Sequence, residues 1–426
     1  MSATHKVVII GGGFGGLYAS KAFRNLPVDL TVIDRRNYHL FQPLLYQVAT
    51  GALSPGEIAS PIRHILHRQN NTRVLMGEVD DIDPAAREVA LRGGDRIAYD
   101  TLIVATGATH HYFGHPEWEQ NAPGLKTIED ATEMRGKILL AFERAEMERD
   151  PDLRRAWLTF VVVGGGATGV ELAGALGEIA NDTLKYDFRS INPRETRIFL
   201  VEGEDRVLPP FPPDLSRHAE KSLLQLNVQV RVKARVTSLD ALGVVVSSAG
   251  KDESIPARTV LWAAGVRASP LGQVLHDRAA APLDNAGRVV VNPDLSILGY
   301  PEILVIGDLA SYSHQDGKPL PGVAQVAMQM GEYTAALTRA RLECRTIGPF
   351  RYRDKGNLAA IGRAAAVAQL GRIHLWGWVA WVIWLFIHIV YLIGFDNRLV
   401  VIMEWAYNYF TYNRGARLIT GRENSA

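Results

Sequence analysis

The 426-residue chain contains a single cysteine, Cys344. One thiol cannot form a disulfide within the chain, act as a redox-active cysteine pair, or belong to a cysteine cluster that holds zinc or iron–sulfur. Charge of one sign is not in excess either, because 46 Lys and Arg stand against 45 Asp and Glu. That balance gives no reason to expect a nucleic-acid partner. We therefore expect no thiol-based redox chemistry, no metal site and no nucleic-acid binding.

The N-terminus lacks a recognisable targeting segment. Its apolar run at residues 7–10 is too short for a signal sequence and leads directly into a glycine loop. We therefore expect the chain to stay in the cytoplasm. At roughly 100–200 residues per domain, the length corresponds to about two to four domains, and 47% hydrophobic with 21% charged residues is typical of globular proteins.

What the sequence does contain is a nucleotide-binding pattern near its start. After a predicted strand, Gly11, Gly13 and Gly16 have the spacing G-x-G-x-x-G. These glycines allow a tight turn, close approach of the backbone to a pyrophosphate, and packing of the helix on the strand. Asp34 ends the next predicted strand, where a carboxylate accepts hydrogen bonds from a ribose hydroxyl. The pattern predicts a bound dinucleotide.

The same pattern occurs a second time in the middle of the chain. Gly164, Gly166 and Gly169 follow the β-branched run "LTFVVV", and Glu202 ends the next predicted strand, "RIFLVE". An acid at that position favours the free ribose hydroxyls of NAD over the 2′-phosphate of NADP. Arg206 lies close in sequence and leaves that preference open. Two copies, each with its own acid, predict two dinucleotide sites.

Three further predicted strands complete the pattern: "YDTLIVATGA" (99–108), "RTVLWAAGV" (258–266) and "PEILVIGDLA" (301–310). This order resembles the flavoproteins with two dinucleotide-binding domains, the disulfide reductase superfamily, over roughly residues 5–335. The resemblance implies an α/β fold in which a Rossmann-like NADH domain is inserted into a split Rossmann-like FAD domain. We expect an FAD-binding domain at 1–122 and 268–337, an NADH-binding domain at 123–267, and a C-terminal region at 338–426.

The resemblance also implies which residues bind each cofactor, with FAD at the first glycine loop and NADH at the second. Asp308 is expected to hydrogen-bond the ribitol of FAD. The expected FAD-binding residues are Gly11, Gly13, Phe14, Gly15, Gly16, Asp34, Ala105, Thr106, Gly107, Asp308 and Gln325. The expected NADH-binding residues are Gly164, Gly166, Thr168, Gly169, Glu171, Glu202, Ala264 and Gly265.

A long apolar segment lies near the end of the chain. Residues 374–394 include four Trp and no Asp, Glu, Lys or Arg, and they reach the length of a membrane span. Trp381, Trp384, His388 and Tyr391 recur at spacings of three and four, so one helix face carries them. Trp and Tyr suit the headgroup level of a membrane. A second apolar run at 399–410 is too short to span.

The region from Arg345 onward is also basic, with ten Lys and Arg against four Asp and Glu. We expect two interfacial helices on one leaflet, with Arg414 and Arg417 near anionic headgroups. A single spanning helix and a buried core or dimer helix are the alternatives.

Residues 39–51 lack the cysteine pair that glutathione reductases use, and thioredoxin and sulfide:quinone reductases also need cysteines. The apolar tail instead predicts an electron acceptor within the membrane, which would be a quinone.

Three further motifs narrow the resemblance: "FQPLLYQVATG" (41–51), "AQVAMQMG" (324–331) and "YRDKGNLAAIGRAAAV" (352–367). With them the chain resembles the bacterial type II NADH:quinone oxidoreductases over nearly its whole length. This resemblance implies a homodimeric enzyme, peripheral on the cytoplasmic face of the inner membrane, that does not pump protons. It implies that Tyr46, Gln325, Gln329 and Lys355 bind quinone, and that Glu171, Gln325 and Lys355 are catalytic.

The residues alone leave these assignments open. Gln325 and Gln329 share a helix face and could hydrogen-bond either quinone or backbone. Lys355 could stabilise reduced flavin or quinone, or form a structural ion pair. Glu171 is expected in the first helical turn after the second glycine loop, where the helix dipole favours a carboxylate. A reductase of a soluble electron carrier and a membrane-attached NADH-binding scaffold are the alternative functions.

Overall fold

The computed structural model describes residues 4–411 and 414–419 and divides into two compact units. The first unit contains residues 1–40, 59–109 and 266–354, and the second contains 41–58, 110–265 and 355–426. Both units are built on a parallel sheet. Each sheet places a glycine loop at the carboxyl end of one of its central strands.

The helices are, in chain order, α1 (Phe14–Ala22), α2 (Leu45–Ala49), α3 (Ile62–Leu66), α4 (Ile128–Met147), α5 (Pro151–Trp157), α6 (Ala167–Glu178), α7 (Pro213–Gln225), α8 (Leu271–Ala279), α9 (Ala324–Leu342), α10 (Gly377–Tyr391) and α11 (Phe395–Thr411). The strands are β1 (His5–Ile10), β2 (Val28–Asp34), β3 (Tyr38–Leu40), β4 (Ala59–Pro61), β5 (Thr72–Met76), β6 (Val79–Asp83), β7 (Glu88–Leu91), β8 (Arg96–Ala98), β9 (Thr101–Val104), β10 (Ala108–His110), β11 (Thr159–Val163), β12 (Arg197–Val201), β13 (Val228–Arg231), β14 (Ala234–Asp240), β15 (Gly243–Ser248), β16 (Lys251–Pro256), β17 (Thr259–Trp262), β18 (Val266–Ala268), β19 (Val289–Val290), β20 (Ser296–Ile297), β21 (Tyr300–Val305), β22 (Ala310–Ser311), β23 (Asn357–Gly362), β24 (Ala365–Leu370) and β25 (Ile373–Trp376).

The first unit has a six-stranded sheet in the order β20-β21-β9-β1-β2-β5, parallel except at the β20 edge. The apolar run of β1 is buried on both faces, which is typical of a strand inside a parallel sheet. Helices α1 and α9 pack together so closely that a Cβ at Gly331 would overlap the Gly15 carbonyl oxygen. This contact holds the start of α9 beside the first glycine loop.

The second unit has a four-stranded parallel sheet in the order β13-β12-β11-β17 and a separate antiparallel sheet of β14, β15 and β16. Its core includes Val161, Phe199, Val260 and Trp262, all buried between these sheets. A C-terminal antiparallel sheet of β23, β24 and β25 leads into α10 and α11. A Cβ at Gly174 of α6 would overlap the Ile361 carbonyl oxygen of β23, so α6 and β23 are in close contact.

The predicted domain limits differ from these compact units in several places. Residues 110–122, expected in the FAD-binding domain, lie in the second unit, and residues 338–354, expected in the C-terminal region, lie in the first. Residues 41–58 and 355–426 group with residues 110–265, because α6, β23, α10 and α11 pack around α2 within the second unit. The division into an FAD-binding and an NADH-binding domain follows the two glycine loops and stays a prediction.

The apolar segment 374–394 is not one helix. Residues 373–376 pair with β24 as a strand, and α10 begins only at Gly377, whose φ of +69° marks the change of direction. The Arg398 guanidinium donates hydrogen bonds to the carbonyls of Leu392 (2.6 Å) and Val390 (2.9 Å), where α10 ends. Among the described residues, no helix combines the length and apolar character that crossing a membrane requires. Residues 374–394 are thus divided between β25 and α10 and do not form the one continuous helix that their length allowed.

The face of α10 that carries Trp381 and Trp384 was expected at the headgroup level of a membrane, but it packs against α11. Trp384 is buried and packs on Trp405 of α11 with ring centroids 5.3 Å apart, and Trp381 packs on Tyr409 at 5.4 Å. The large apolar side chains that α10 exposes are Trp378, Val379, Val382, Phe386 and Val390. The Trp-rich face is internal because two apolar helices bury their largest rings against each other.

Candidate functional site

The first glycine loop joins β1 to α1 in the first unit. Gly11 has φ +102°, and a Cβ there would lie 2.5 Å from the Ala105 carbonyl oxygen. A Cβ at Gly16 would overlap the Gly11 carbonyl, whereas Gly13 faces open space. The Gly12 amide donates to a carboxylate oxygen of Asp34 at 2.5 Å. The loop is therefore tightened by the acid at the end of β2 and leaves its middle glycine accessible to a phosphate.

Asp34 also accepts a hydrogen bond from the Arg36 amide at 2.7 Å. Burial raises the pKa of its carboxyl, and the amides of Gly12 and Arg36 lower that pKa in opposition. Ala105, Thr106 and Gly107 follow β9, and Thr106 hydrogen-bonds the Ser269 hydroxyl at 2.7 Å.

Asp308 lies just after β21, next to Gly307 with φ +70°. Its carboxylate makes no hydrogen bond within the described residues, so its acceptor capacity is available to the hydroxyls of a ligand. Gln325 lies in the first turn of α9 in the same unit. An open glycine loop and a carboxylate without a protein donor, both at the carboxyl edge of one parallel sheet, fit the pyrophosphate and ribitol of FAD.

His39 of β3 contacts the first glycine loop and was not predicted from the sequence. Its Nδ1 atom lies 2.9 Å from the Gly12 carbonyl oxygen and hydrogen-bonds it, and its ring meets Phe14 edge-on at 5.1 Å. The ring is 2% exposed, and burial lowers the pKa of His39 to about 4. Only the position of His39, five residues after the end of β2, could have indicated that it contacts the glycine loop, since no motif surrounds it.

The second glycine loop repeats this construction between β11 and α6. Gly164 has φ +106°, a Cβ at Gly169 would overlap the Gly164 carbonyl, and Gly166 faces open space. The Gly165 amide donates to Glu202 at 2.5 Å, as the Gly12 amide does to Asp34. The second loop therefore offers the same kind of phosphate site as the first.

The surroundings of Glu202 bear on nucleotide choice. Its other carboxylate oxygen accepts from the Glu204 amide at 2.8 Å. Arg206 directs its guanidinium to Asp205 (3.0 Å) and to the Pro209 carbonyl (3.1 Å). Thr168 is exposed in the first turn of α6, and Ala264 and Gly265 follow β17. An acid at the strand end and an arginine engaged elsewhere favour NADH over NADPH.

Glu171 lies in the second turn of α6 rather than the first, so the dipole of the helix end acts on it less than expected. Burial dominates instead and raises the pKa of Glu171 to about 8, so the carboxyl is protonated at neutral pH. The Ala360 amide, which donates at 3.3 Å, and the nearby Trp384 indole both lower that pKa in opposition. The indole N–H itself does not reach hydrogen-bond geometry with any described residue.

Glu171 and Tyr46 line one cavity of about 130 Å³ inside the second unit. Its walls come from α2, α6 and the segment that follows it, β23, α10, α11 and the residues after α11. The lining residues are Tyr46, Gln47, Ala52, Glu171, Ala175, Glu178, Asp182, Thr183, Ala360, Ile361, Gly362, Arg363, Trp381, Trp384, Trp405, Asn408, Tyr409 and Arg414. The sequence predicted Tyr46 and Glu171 but not the other polar residues of these walls.

The remaining predicted quinone residues lie elsewhere. Lys355 is exposed in the second unit, where its Nζ donates to the Tyr391 hydroxyl at 3.2 Å, and it does not line the cavity. In the first unit, the Gln329 amide donates to the Arg353 carbonyl (3.0 Å) and accepts from the Arg353 amide (2.9 Å). Both ends of the Gln329 side chain are therefore engaged by backbone, which was one of the two possibilities.

The two tail arginines expected at lipid headgroups are engaged within the protein. Arg414 is 8% exposed and pairs with Glu178 at 2.7 Å, and it also donates to the Thr50 carbonyl at 3.2 Å. Arg417 pairs with Asp187 at 2.5 Å. For Arg414 the expectation was wrong, because a glutamate 236 residues away in sequence lies beside the tail and buries the pair. Arg417 keeps 29% of its side chain exposed, and its position near headgroups stays a prediction.

Comparison with known proteins agrees with this geometry. A family model described as pyridine nucleotide-disulphide oxidoreductase matches residues 5–331. The type II NADH:quinone oxidoreductases Ndh and NdhA of Mycobacterium tuberculosis are each 44% identical to this chain, covering 98% of it and 91% and 90% of their own lengths.

Solved structures share the fold. The structure of NDH2 from Plasmodium falciparum in complex with NADH has a TM-score of 0.87 at 22% identity, covering 98% of this chain and 100% of its own. The sulfide:quinone oxidoreductase of Aquifex aeolicus has a TM-score of 0.69 at 20% identity, covering 98% and 93%. The predicted α/β fold with two Rossmann-like domains is confirmed. The chain belongs to the pyridine nucleotide-disulphide oxidoreductase family and, within it, to the type II NADH:quinone oxidoreductases.

Proposed function

We propose that this protein oxidises NADH through FAD and reduces a membrane quinone to quinol without pumping protons. The observation that carries the proposal is the cavity of the second unit. It lies between α6, which starts at the second glycine loop, and helices α10 and α11, which expose apolar side chains on their other faces. Helices α10 and α11 therefore form part of the cavity wall and also carry an exposed apolar surface, which suits a ligand that comes from the membrane.

The residues of the two glycine loops bind and orient the nucleotides. When bound, FAD would supply the redox chemistry that links NADH oxidation to reduction of the acceptor. Gly13 and the start of α1 hold the FAD pyrophosphate, and Asp308 accepts hydrogen bonds from ribitol. Gly166 and the start of α6 hold the NADH pyrophosphate, while Glu202 accepts from the ribose hydroxyls.

Quinone reduction also consumes two protons, and Glu171 is suited to supply one. Its pKa of about 8 keeps a proton on the carboxyl at neutral pH, and its side chain lines the cavity. Tyr46 lines the same cavity, with its own pKa raised well above the usual range by burial, so it stays a neutral hydrogen-bond donor. Gln325 and Lys355 remain proposed ligands of quinone and reduced flavin through the family resemblance.

Membrane association is proposed through the exposed apolar faces of the two C-terminal helices. The side chains concerned are Val379, Val382, Phe386 and Val390 on α10 and Leu399, Ile402, Met403 and Phe410 on α11. Because Arg414 and Arg417 pair with acids of the protein, we expect apolar area to contribute more than attraction to anionic lipid. The cytoplasmic face of the inner membrane as its location and the homodimer are proposed from the resemblance.

The absorption spectrum of the purified protein tests the proposal. NADH should bleach the flavin bands, and a soluble quinone added anaerobically should restore them with one quinone consumed per NADH. Reoxidation by ferredoxin or rubredoxin but not by quinone would favour a soluble-carrier reductase. An unbleached spectrum in the presence of NADH would favour a scaffold.

A further inference from the structure

A chain of three hydrogen-bonding side chains runs from the C-terminal helix α11 to the cavity. The Trp405 indole Nε1 donates to the Gln47 side-chain carbonyl at 2.7 Å, and the Gln47 amide nitrogen donates to the Tyr46 hydroxyl at 3.1 Å. All three side chains are at most 9% exposed. All three line the cavity and belong to the second unit.

The chemistry of the first residue fixes the direction of the whole chain. An indole N–H can only donate, so the Gln47 group that faces Trp405 has to be the carbonyl oxygen. The amide nitrogen of Gln47 then faces Tyr46, and a nitrogen carrying two hydrogens can only donate. The Tyr46 oxygen is consequently an acceptor in this bond, and its own hydrogen has to point elsewhere.

That hydrogen has no acceptor among the residues that the structure describes. Within that part of the chain, the only hydrogen bond of the Tyr46 hydroxyl is the one it accepts from Gln47. Leaving a buried donor without an acceptor is unfavourable, so a ligand with a hydrogen-bond acceptor is expected to take this hydrogen. A quinone carbonyl is such an acceptor.

We infer that Trp405 and Gln47 are positioning residues that orient the Tyr46 hydroxyl as a hydrogen-bond donor to the carbonyl of the quinone. The inference rests on the proposed function and adds to it the cause of the Tyr46 orientation. Helix α11 carries both Trp405 and part of the exposed apolar surface. The helix that is proposed to contact lipid therefore also orients the Tyr46 hydroxyl through Trp405 and Gln47.

A double-mutant cycle with Tyr46→Phe and Gln47→Leu tests the inference. Tyr46→Phe should lower kcat/KM for quinone roughly 3- to 10-fold, mostly through KM, because one hydrogen bond to the ligand is lost. Gln47→Leu should lower it by a similar or smaller factor. The double variant should be no worse than Tyr46→Phe, since Gln47 acts only through the hydroxyl. The rate of NADH-driven flavin bleaching in stopped flow should stay within about twofold of wild type in all three.

Gln47→Glu gives an independent readout. Once ionised, the introduced carboxylate accepts from both Trp405 and Tyr46 and turns the tyrosine hydrogen away from the cavity. The loss of kcat/KM for quinone should therefore grow as pH rises, whereas Gln47→Leu should show no such added pH dependence. Trp405→Phe should reproduce part of the Gln47→Leu loss, and the exposed Trp378→Phe is its matched control.

The outcomes are separable. Wild-type turnover with quinone, measured first, tests the proposed function, and its absence overturns the inference as well. If wild type turns over, additive losses in the cycle, equal slowing of flavin bleaching, or a pH-independent Gln47→Glu effect would each overturn the positioning chain alone. The amount of bound flavin and the unfolding midpoint of each variant show whether the substitution has damaged the fold. If it has, the pH dependence of kcat/KM in Gln47→Glu decides whether the positioning chain exists.

Discussion

Arg414 and Glu178 form an ion pair of 2.7 Å between two residues 236 positions apart, and only 9% of the arginine side chain is exposed. Glu178 also accepts a hydrogen bond from the Arg363 amide, so one carboxylate joins the end of α6 to β23 and to the tail. The pair closes one wall of the cavity. It makes the tail a part of the second unit rather than an appended membrane anchor.

Arg414→Leu should lower the free energy of unfolding by roughly 1–3 kcal/mol, because it leaves a largely buried carboxylate without its cation. Binding to vesicles should change little. Denaturant unfolding and vesicle sedimentation measure the two effects. Arg372→Leu is the matched control, since Arg372 is exposed and its removal should shift stability by less than about 0.5 kcal/mol. Normal stability with lost vesicle binding would show that Arg414 faces lipid after all.

Phe386→Glu and Phe410→Glu should weaken binding to lipid vesicles by roughly tenfold or more each, since burying a phenyl ring in an apolar phase is worth about 1.5–3 kcal/mol. Both rings are exposed, at 66% and 78%, so the fold and the bound flavin should be retained. NADH oxidation by a small artificial acceptor should persist, and turnover with long-tailed quinone in vesicles should fall. Leu242→Glu, exposed on a hairpin of the same unit, is the control. Unchanged sedimentation of both variants would exclude this surface.

Truncation before α10 is a poor test of the same surface. It would remove Trp384 and Trp405, which line the cavity and pack inside the unit. We expect that truncation to lower stability as well as membrane binding, so a loss of activity would not separate the two. Substitution of the exposed side chains avoids this.

Glu202→Gln should raise the Michaelis constant for NADH roughly tenfold, because the ribose hydroxyls lose a charged acceptor. It should also reduce the preference for NADH over NADPH. Steady-state kinetics with both nucleotides measure it. Glu204→Gln is the matched control, since that side chain is exposed two residues later. Equal use of NADPH and NADH by the wild-type protein would contradict the assignment.

Gln325→Ala should slow flavin reoxidation by quinone while leaving NADH-driven bleaching nearly intact, because Gln325 is assigned to the acceptor side. Stopped-flow measurement of the two half-reactions separates them. Gln329→Ala should instead lower the free energy of unfolding by about 1 kcal/mol, as two hydrogen bonds to the Arg353 backbone are lost. Equal damage to both half-reactions by Gln325→Ala would mean that this residue supports the flavin.

His39 predicts an acid-dependent loss of stability. Its pKa is lowered from 6.5 to about 4 by burial, so between these values the unfolded chain binds a proton that the folded chain does not. The free energy of unfolding should therefore fall as pH drops from 6.5 to 4, by about 1.4 kcal/mol per unit and on the order of 3 kcal/mol in total. His39→Asn, which keeps a donor for the Gly12 carbonyl, should reduce that slope. Unfolding followed by flavin release at several pH values measures it, and the exposed His64→Asn is the control. An unchanged slope in His39→Asn would refute the assignment.

The sequence by itself determined the two nucleotide-binding loops. Their geometry is local: a buried strand, a glycine with positive φ and a helix are adjacent in the chain, and the acid follows at the end of the next strand. Gly11, Asp34, Gly164 and Glu202 were predicted in their observed places for this reason. The family followed from these loops and from the three motifs near Tyr46, Gln325 and Lys355.

Only the tertiary structure decided which face of the apolar tail is buried. Periodicity identified a face with Trp384 and His388, but both faces of α10 are apolar, and hydrophobic periodicity alone cannot rank them. Packing against Trp405 chose the face with the largest rings, since that face buries the most apolar surface. Contacts across long sequence separations likewise decided that Arg414 meets Glu178 and that Trp405 meets Gln47. No local pattern records such pairs, because each partner is specified by the fold and not by its sequence neighbours.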